Sequence, residues 1–169
     1  NNSMQRTALR AAADAERYVR GNMDQYKIDK PIWTEDDFSV MGWHDCPIRS
    51  FAFLPDTFEF ALDIDYIFKW VHPEDEKSHF SFWVAPATML FENVSNLRLE
   101  VETDQDVDIA DVSRENPRPS PNGKVTLWDY SIECHEGLVA LTTTGFRMIV
   151  RQLPVLQQSQ ILDLDVRGG

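Results

Sequence analysis

A chain of 169 residues is long enough to bury a core of its own, so a single domain that needs neither disulfide nor metal staple is expected. With 43% apolar residues, ten Phe and five Trp, the chain is excluded from the disordered acidic class and should have an aromatic-rich core. Its formal charge of −12, from 28 acidic and 16 basic side chains, repels phosphate backbones and excludes nucleic acid as a natural partner; a basic protein surface or a cation is what it would attract.

The first predicted element is a helix from about Gln5 to Arg20, rich in helix formers (Ala8, Leu9, Ala11, Ala12, Ala13, Ala15) and ended by Gly21. Its apolar face is mostly alanine, which packs closely but weakly. Asn22 to Asp37 is irregular, broken by Pro31 and by the acidic run Glu35-Asp36-Asp37, and reads as a connector carrying Trp33 toward the core. Residues 1–37 are thus expected as a helix and connector packed on a β-rich unit of residues 38–169.

Beyond Phe38 the apolar period falls to two. Phe58, Phe60, Leu62, Ile64 and Tyr66 alternate with Glu59, Ala61, Asp63 and Asp65, which predicts a half-buried strand with those five side chains on one buried face. Ile48 to Leu54 precedes it across Pro55-Asp56-Thr57, so the two should form an antiparallel hairpin. Further strands are predicted at His79–Ala85, Ala87–Asn93, Leu97–Thr103, Val125–Cys134, Leu138–Thr144 and Phe146–Leu153. Glu136-Gly137 reads as a hairpin turn and Gly145 as a bulge or bend. Ser113 to Lys124, with Pro117, Pro119, Pro121 and Gly123, predicts a long exposed loop, and Ile161 to Val166 a last edge strand. No second helix intervenes to support a parallel crossover. The expected fold is mainly β (α+β by content): an antiparallel sandwich or partly closed barrel with one N-terminal helix.

No apolar run approaches the roughly 20 residues that span a bilayer, and no secretory-signal core opens the chain, so a cytoplasmic protein without membrane contact is expected. Cys46 and Cys134 read as two buried thiols, with no metal site and no cofactor implied.

The most individual stretch is Gly42-Trp43-His44-Asp45-Cys46-Pro47. In an extended chain His44 and Cys46 would share a face, which makes a thiol–imidazole pair conceivable; the competing reading has His44 and Asp45 bonding to backbone at a strand start. Asp63 and Asp65, with Glu59, lie on the polar face of the strongest strand, either solvated or drawn into a buried polar cluster. A candidate polar site of His44, Asp45, Asp63 and Asp65 follows, provided folding brings them together. Asp104, Asp106 and Asp108 begin like a calcium loop, with Glu115 eleven residues after Asp104. The match breaks at Ile109, where such a loop needs glycine. These carboxylates, with Glu100 and Glu102, instead form a candidate acidic interaction surface; between Glu92 and Asp111 only Arg98 opposes them. The chain has no Gly-rich phosphate loop, Gly-x-Ser-x-Gly elbow, His-Glu-x-x-His or paired Cys-x-x-Cys, which lowers the expectation of an enzyme.

Trp43-His44-Asp45, Asp63-Ile64-Asp65-Tyr66-Ile67 with Trp70, Phe82-Trp83-Val84-Ala85-Pro86-Ala87-Thr88 and Phe91-Glu92-Asn93-Val94 together resemble small uncharacterised bacterial proteins, some similar to immunity proteins of polymorphic toxin systems. The resemblance spans about Met41 to Phe146 and implies no catalytic residue. Taken with the net charge, it points to a non-enzymatic binding protein that presents an acidic surface to a basic protein partner. The alternative is a small-ligand-binding or hydrolytic β-domain that uses the His/Asp cluster.

Overall fold

The computed structural model describes residues 25–76 and 78–168. The predicted helix over Gln5–Arg20 lies outside the described residues. Within them the chain is mainly antiparallel β: β1 (Ile32–Thr34), β2 (Pro47–Leu54), β3 (Glu59–Val71), β4 (Ser81–Glu92), β5 (Ser95–Val101), β6 (Val107–Pro119), β7 (Thr126–Cys134), β8 (Gly137–Thr143), β9 (Gly145–Val150) and β10 (Val155–Gln157). Short 3-10 turns cover Glu35–Val40 and Pro55–Thr57.

The strands pair in the order β1-β9-β4-β3-β2-β6-β7-β8-β5, with β10 also on β4. The sheet is not closed into a barrel; it folds over so that its halves enclose the core, as in a sandwich. Rings from the two halves meet there: Tyr130 of β7 lies 5.7 Å from Phe91 of β4 and 6.0 Å from Phe146 of β9. The chain crosses between halves at adjacent points, from β4 to β5 and from β8 to β9. These crossings are tied by Thr144 N donating to Glu92 O (3.2 Å) and Asn93 Nδ2 donating to Thr144 Oγ1 (2.9 Å).

The hairpin of β2 and β3 forms as its alternation dictates. Phe60, Leu62, Ile64 and Tyr66 are buried on the core face. Each such side chain contributes about 1.5–3 kcal/mol on burial, so a one-residue slip is strongly disfavoured. Phe58 departs from the expectation. It closes the preceding turn in the left-handed region (φ 57°), outside the strand, and is 69% exposed. Alternation along a strand cannot carry through a turn residue of that conformation.

Two strands expected on either side of Pro86 are one continuous strand, β4. Pro86 O accepts from Arg151 N (2.9 Å), so the edge of Pro86 that lacks an N–H faces the gap where the chain passes from β9 to β10 and no ladder donor is needed. The expected loop at Ser113–Lys124 is corrected more fully, since its first half belongs to β6. Pro117 falls in a bulge between Glu115 and Arg118, and Pro119 ends the strand on an edge where only β7 pairs with it. The hairpin turn after β7 is His135-Glu136 rather than Glu136-Gly137. Gly137 already pairs with Cys134 and with Val101, and a Cβ there would stand 1.9 Å from Glu100 O. Finally, Ile161–Val166 is not a strand; β10 is the last one, and residues 158–168 form a strap in which Leu162 is wholly buried.

Candidate functional site

The four residues of the candidate polar site fall into two groups, joined to different partners. His44 and Asp45 occupy a tight turn just before β2, with Cys46 N donating to Trp43 O (3.0 Å) and Asp45 at φ 61°. The turn sends Trp43 and Cys46 into the core and leaves His44 outside. His44 and Cys46 therefore do not share a face, as an extended chain would have required. Cys46 accepts from Ile67 N (3.4 Å), and burial pushes its thiol up to about 12, so it stays protonated and non-nucleophilic. Burial likewise raises Cys134 to about 11, and both cysteines are free and buried, as expected.

Asp45 accepts from two distant segments, with His135 Nε2 and Gln160 Nε2 each 3.3 Å from its carboxylate, while His44 Nε2 stays 3.6 Å away. Since Ala110 O can only accept, the 3.2 Å contact to His44 Nδ1 places a proton on that nitrogen. His44 also stacks on Trp70, 6.1 Å between ring centres. It reaches an open cleft of ≈ 350 Å³ walled by Tyr26, Trp33, Phe68 and Trp70, but Asp45, Asp63 and Asp65 do not line it.

Asp63 and Asp65 take the buried-cluster alternative. Asp65 has no exposed surface; its carboxylate accepts from Leu162 N (2.9 Å) and pairs with Arg49 (3.3 Å) and Arg167. Asp63 pairs with Arg151 at 2.7 Å and with the same Arg167 at 2.6 Å. The C-terminal strap is thus held to the outer face of β3 by Arg167 and Leu162 N, on two carboxylates that Arg49 and Arg151 also pair with. Among the described residues, no hydrogen bond or ion pair joins His44 or Asp45 to Asp63 or Asp65. Gln160 and Leu162 of the strap are the nearest link between the groups.

The candidate acidic surface is brought together. Glu100 lies one residue before the end of β5, Glu102, Asp104 and Asp106 stand exposed in the connecting turn, and Asp108 lies half-buried at the start of β6. Thr103 Oγ1 braces the turn by donating to Asp106 O (2.7 Å). The turn after β7 packs against it: Glu102 N donates to Glu136 O (3.0 Å) and Asp108 N to Glu136 Oε2 (2.9 Å). Partial burial, first, and then the charges of Glu136, Asp106 and Asp45 push the Asp108 carboxyl above its usual value, with His135 the one opposing influence. Arg98 is spent on Glu100 at 3.4 Å. No group of three or more His, Cys, Asp or Glu among the described residues has the geometry to hold a metal ion.

Sequence reasoning passed over a neighbouring feature. From Arg49 to Leu54 the outer edge of β2 has no strand partner among the described residues, because β6 pairs with it only at Pro47 and Ile48. Along that stretch and the turn after it, Phe51, Phe53, Leu54 and Phe58 are 51%, 58%, 39% and 69% exposed. The register directs this open edge past the turn that precedes β6, which carries Asp104 and Asp106. The only signal in the sequence was the apolar run Phe51-Ala52-Phe53-Leu54, which reads equally well as buried.

Comparison with family models, curated proteins and solved structures gave no match to this chain. No described helix is long and apolar enough to cross a membrane.

Proposed function

We propose that this is a non-enzymatic binding protein of bacterial type that docks a basic protein partner, in the manner of an immunity protein. The observation that carries the reading is the open, aromatic edge of β2, whose register with β6 runs toward an acidic turn that no described arginine or lysine pairs with. An exposed strand edge invites pairing, and proteins that avoid it blunt the edge with Pro, charge or bulges. The outer edge of β6 has all three, in Pro117, Pro119, Arg114, Glu115 and the bulge after Glu115. The edge of β2 has phenylalanines instead. A contiguous apolar patch rimmed by charge marks a protein interface.

The charge rim selects the partner. The Asp108 carboxyl is raised first by partial burial and then by the like charges of Glu136, Asp106 and Asp45. A lysine- or arginine-rich surface removes that repulsion on docking and gains association rate from the long-range field. The His/Asp alternative retains an aromatic cleft reached by His44, while its carboxylates are engaged elsewhere.

The test is binding to the product of the gene adjacent to this protein's own, measured at low and high salt for wild type, F51D/F53D and D104K/D106K/D108K. Slower association after charge reversal and with rising salt, together with faster dissociation of F51D/F53D, supports the reading. No complex at micromolar concentration, or rates unchanged by both variants, overturns it. So does an F51D/F53D variant that turns a homodimer into a monomer, or strong hydrogen-exchange protection of residues 49–54 in the unbound monomer, since either means that the chain itself covers the edge.

A further inference from the structure

The described arginines of this acidic chain are, with one exception, matched to carboxylates. Arg49, Arg98, Arg118, Arg147, Arg151 and Arg167 each contact at least one. Arg114 of β6 is the exception among the described arginines. Its guanidinium carbon lies 4.5 Å from the ring centre of Phe38 and 4.3 Å from that of Trp128, and its Nη1 donates to Tyr130 Oη (3.3 Å). Tyr130 is buried, and Phe38 packs on it edge-on at 5.9 Å, so the aromatic frame around the guanidinium is itself fixed in the core.

Aromatic stacking engages the faces of a guanidinium and leaves its in-plane N–H donors unused. One bond to Tyr130 leaves most of the fork open. Arg114 borders a cleft of ≈ 540 Å³, together with Trp128, Thr126, Thr144 and a second cation, Lys124. Glu35 and Asp36 stand on the same rim, with Glu35 Oε2 accepting from Phe146 N at 3.3 Å. Two rim carboxylates oppose a compact, multiply charged oxyanion such as phosphate. A planar carboxylate suits the fork, which can hold it through two parallel N–H···O bonds.

We propose that this cleft is a binding site for a small organic carboxylate, with Arg114 as the pre-oriented bidentate anchor and Lys124 as a second cation over the ligand. The aromatic clamp fixes the guanidinium before the ligand arrives, so little side-chain entropy is lost on binding. This site is independent of the β2 edge and of the acidic turn.

The probe is propionate, a monoanion, titrated into the full chain and followed by NMR at the Arg114 Nε–H and Trp128 indole N–H signals, with succinate and inorganic phosphate in parallel. Saturable shifts of both signals with propionate are expected, with phosphate weaker. R114K keeps the charge but loses the fork and should weaken binding about tenfold or more. K124Q leaves the clamp intact and should weaken it severalfold, which keeps the test valid if changes at Arg114 disturb folding. Shifts that never saturate, equal binding of phosphate, or wild-type affinity in R114K would overturn the proposal.

Discussion

Two acidic stretches of this chain look alike in sequence and meet opposite fates. Asp63 and Asp65 alternate along β3, and Asp104, Asp106 and Asp108 alternate between β5 and β6. The first pair is drawn under the C-terminal strap and met by Arg49, Arg151 and Arg167. The second set gathers Glu136 and Asp45 around it and, among the described residues, is met by no arginine. The first arrangement locks the strap to the sheet, while the second leaves a field directed outward. Like residues at like spacing become a structural clamp or an outward-facing acidic rim according to the cations that the fold delivers.

That contrast can be broken most sharply at Arg167, which touches both buried carboxylates. Removing one partner of a buried pair leaves an uncompensated charge, so R167M should destabilise the protein by about 3 kcal/mol, with Arg49 and Leu162 N still holding Asp65. Urea unfolding measures this, and a loss below about 1 kcal/mol would mean that the strap contributes little. The double variant D65N/R167M should lose less than the sum of its single changes, because the two side chains act on one another.

A smaller loss is expected at Asp63, which is half-buried and partly solvated. D63N should cost about 1–2 kcal/mol, as hydrogen bonds to charged groups do, and should loosen hydrogen-exchange protection in the strap before that in β3. Equal loosening of both would show that strap and sheet unfold as a unit.

Asp108 should give the opposite sign. Its carboxyl is raised in the folded protein, so the fold binds that proton more tightly than the unfolded chain does. The resulting stability is fully present below the ordinary value of 3.8 and is lost as pH rises through the higher folded value. At pH 7 the ionised Asp108 is a net cost. D108N should therefore stabilise the protein at pH 7, by less than about 1 kcal/mol once solvent screening is allowed for, and make no difference near pH 3. Destabilisation at pH 7 would mean that Asp108 is compensated after all.

The smallest effect belongs to Asp104, exposed in its turn. D104N should change stability by no more than about 0.5 kcal/mol, while still slowing association with a basic partner. A larger stability change would assign the acidic turn to the fold rather than to recognition.

The sequence by itself determined the antiparallel β class, the β2–β3 hairpin and the buried face of Phe60, Leu62, Ile64 and Tyr66, because alternation and turn chemistry act between near neighbours. It also located the densest run of acidic side chains, since that charge is concentrated within one stretch of chain. Proline misled it twice, at Pro86 and at Pro117, because whether a missing N–H matters depends on which edge of the strand it faces, and that is a property of the neighbouring strands. Phe51 and Phe53 read like core residues, and only the parting of β6 from β2 after Ile48 leaves them in solvent. Only the tertiary structure could place Arg167 on Asp63 and Asp65, 104 residues from the former, or clamp Arg114 between Phe38 and Trp128. Such contacts depend on where distant segments come to rest, so no local pattern in the sequence encodes them.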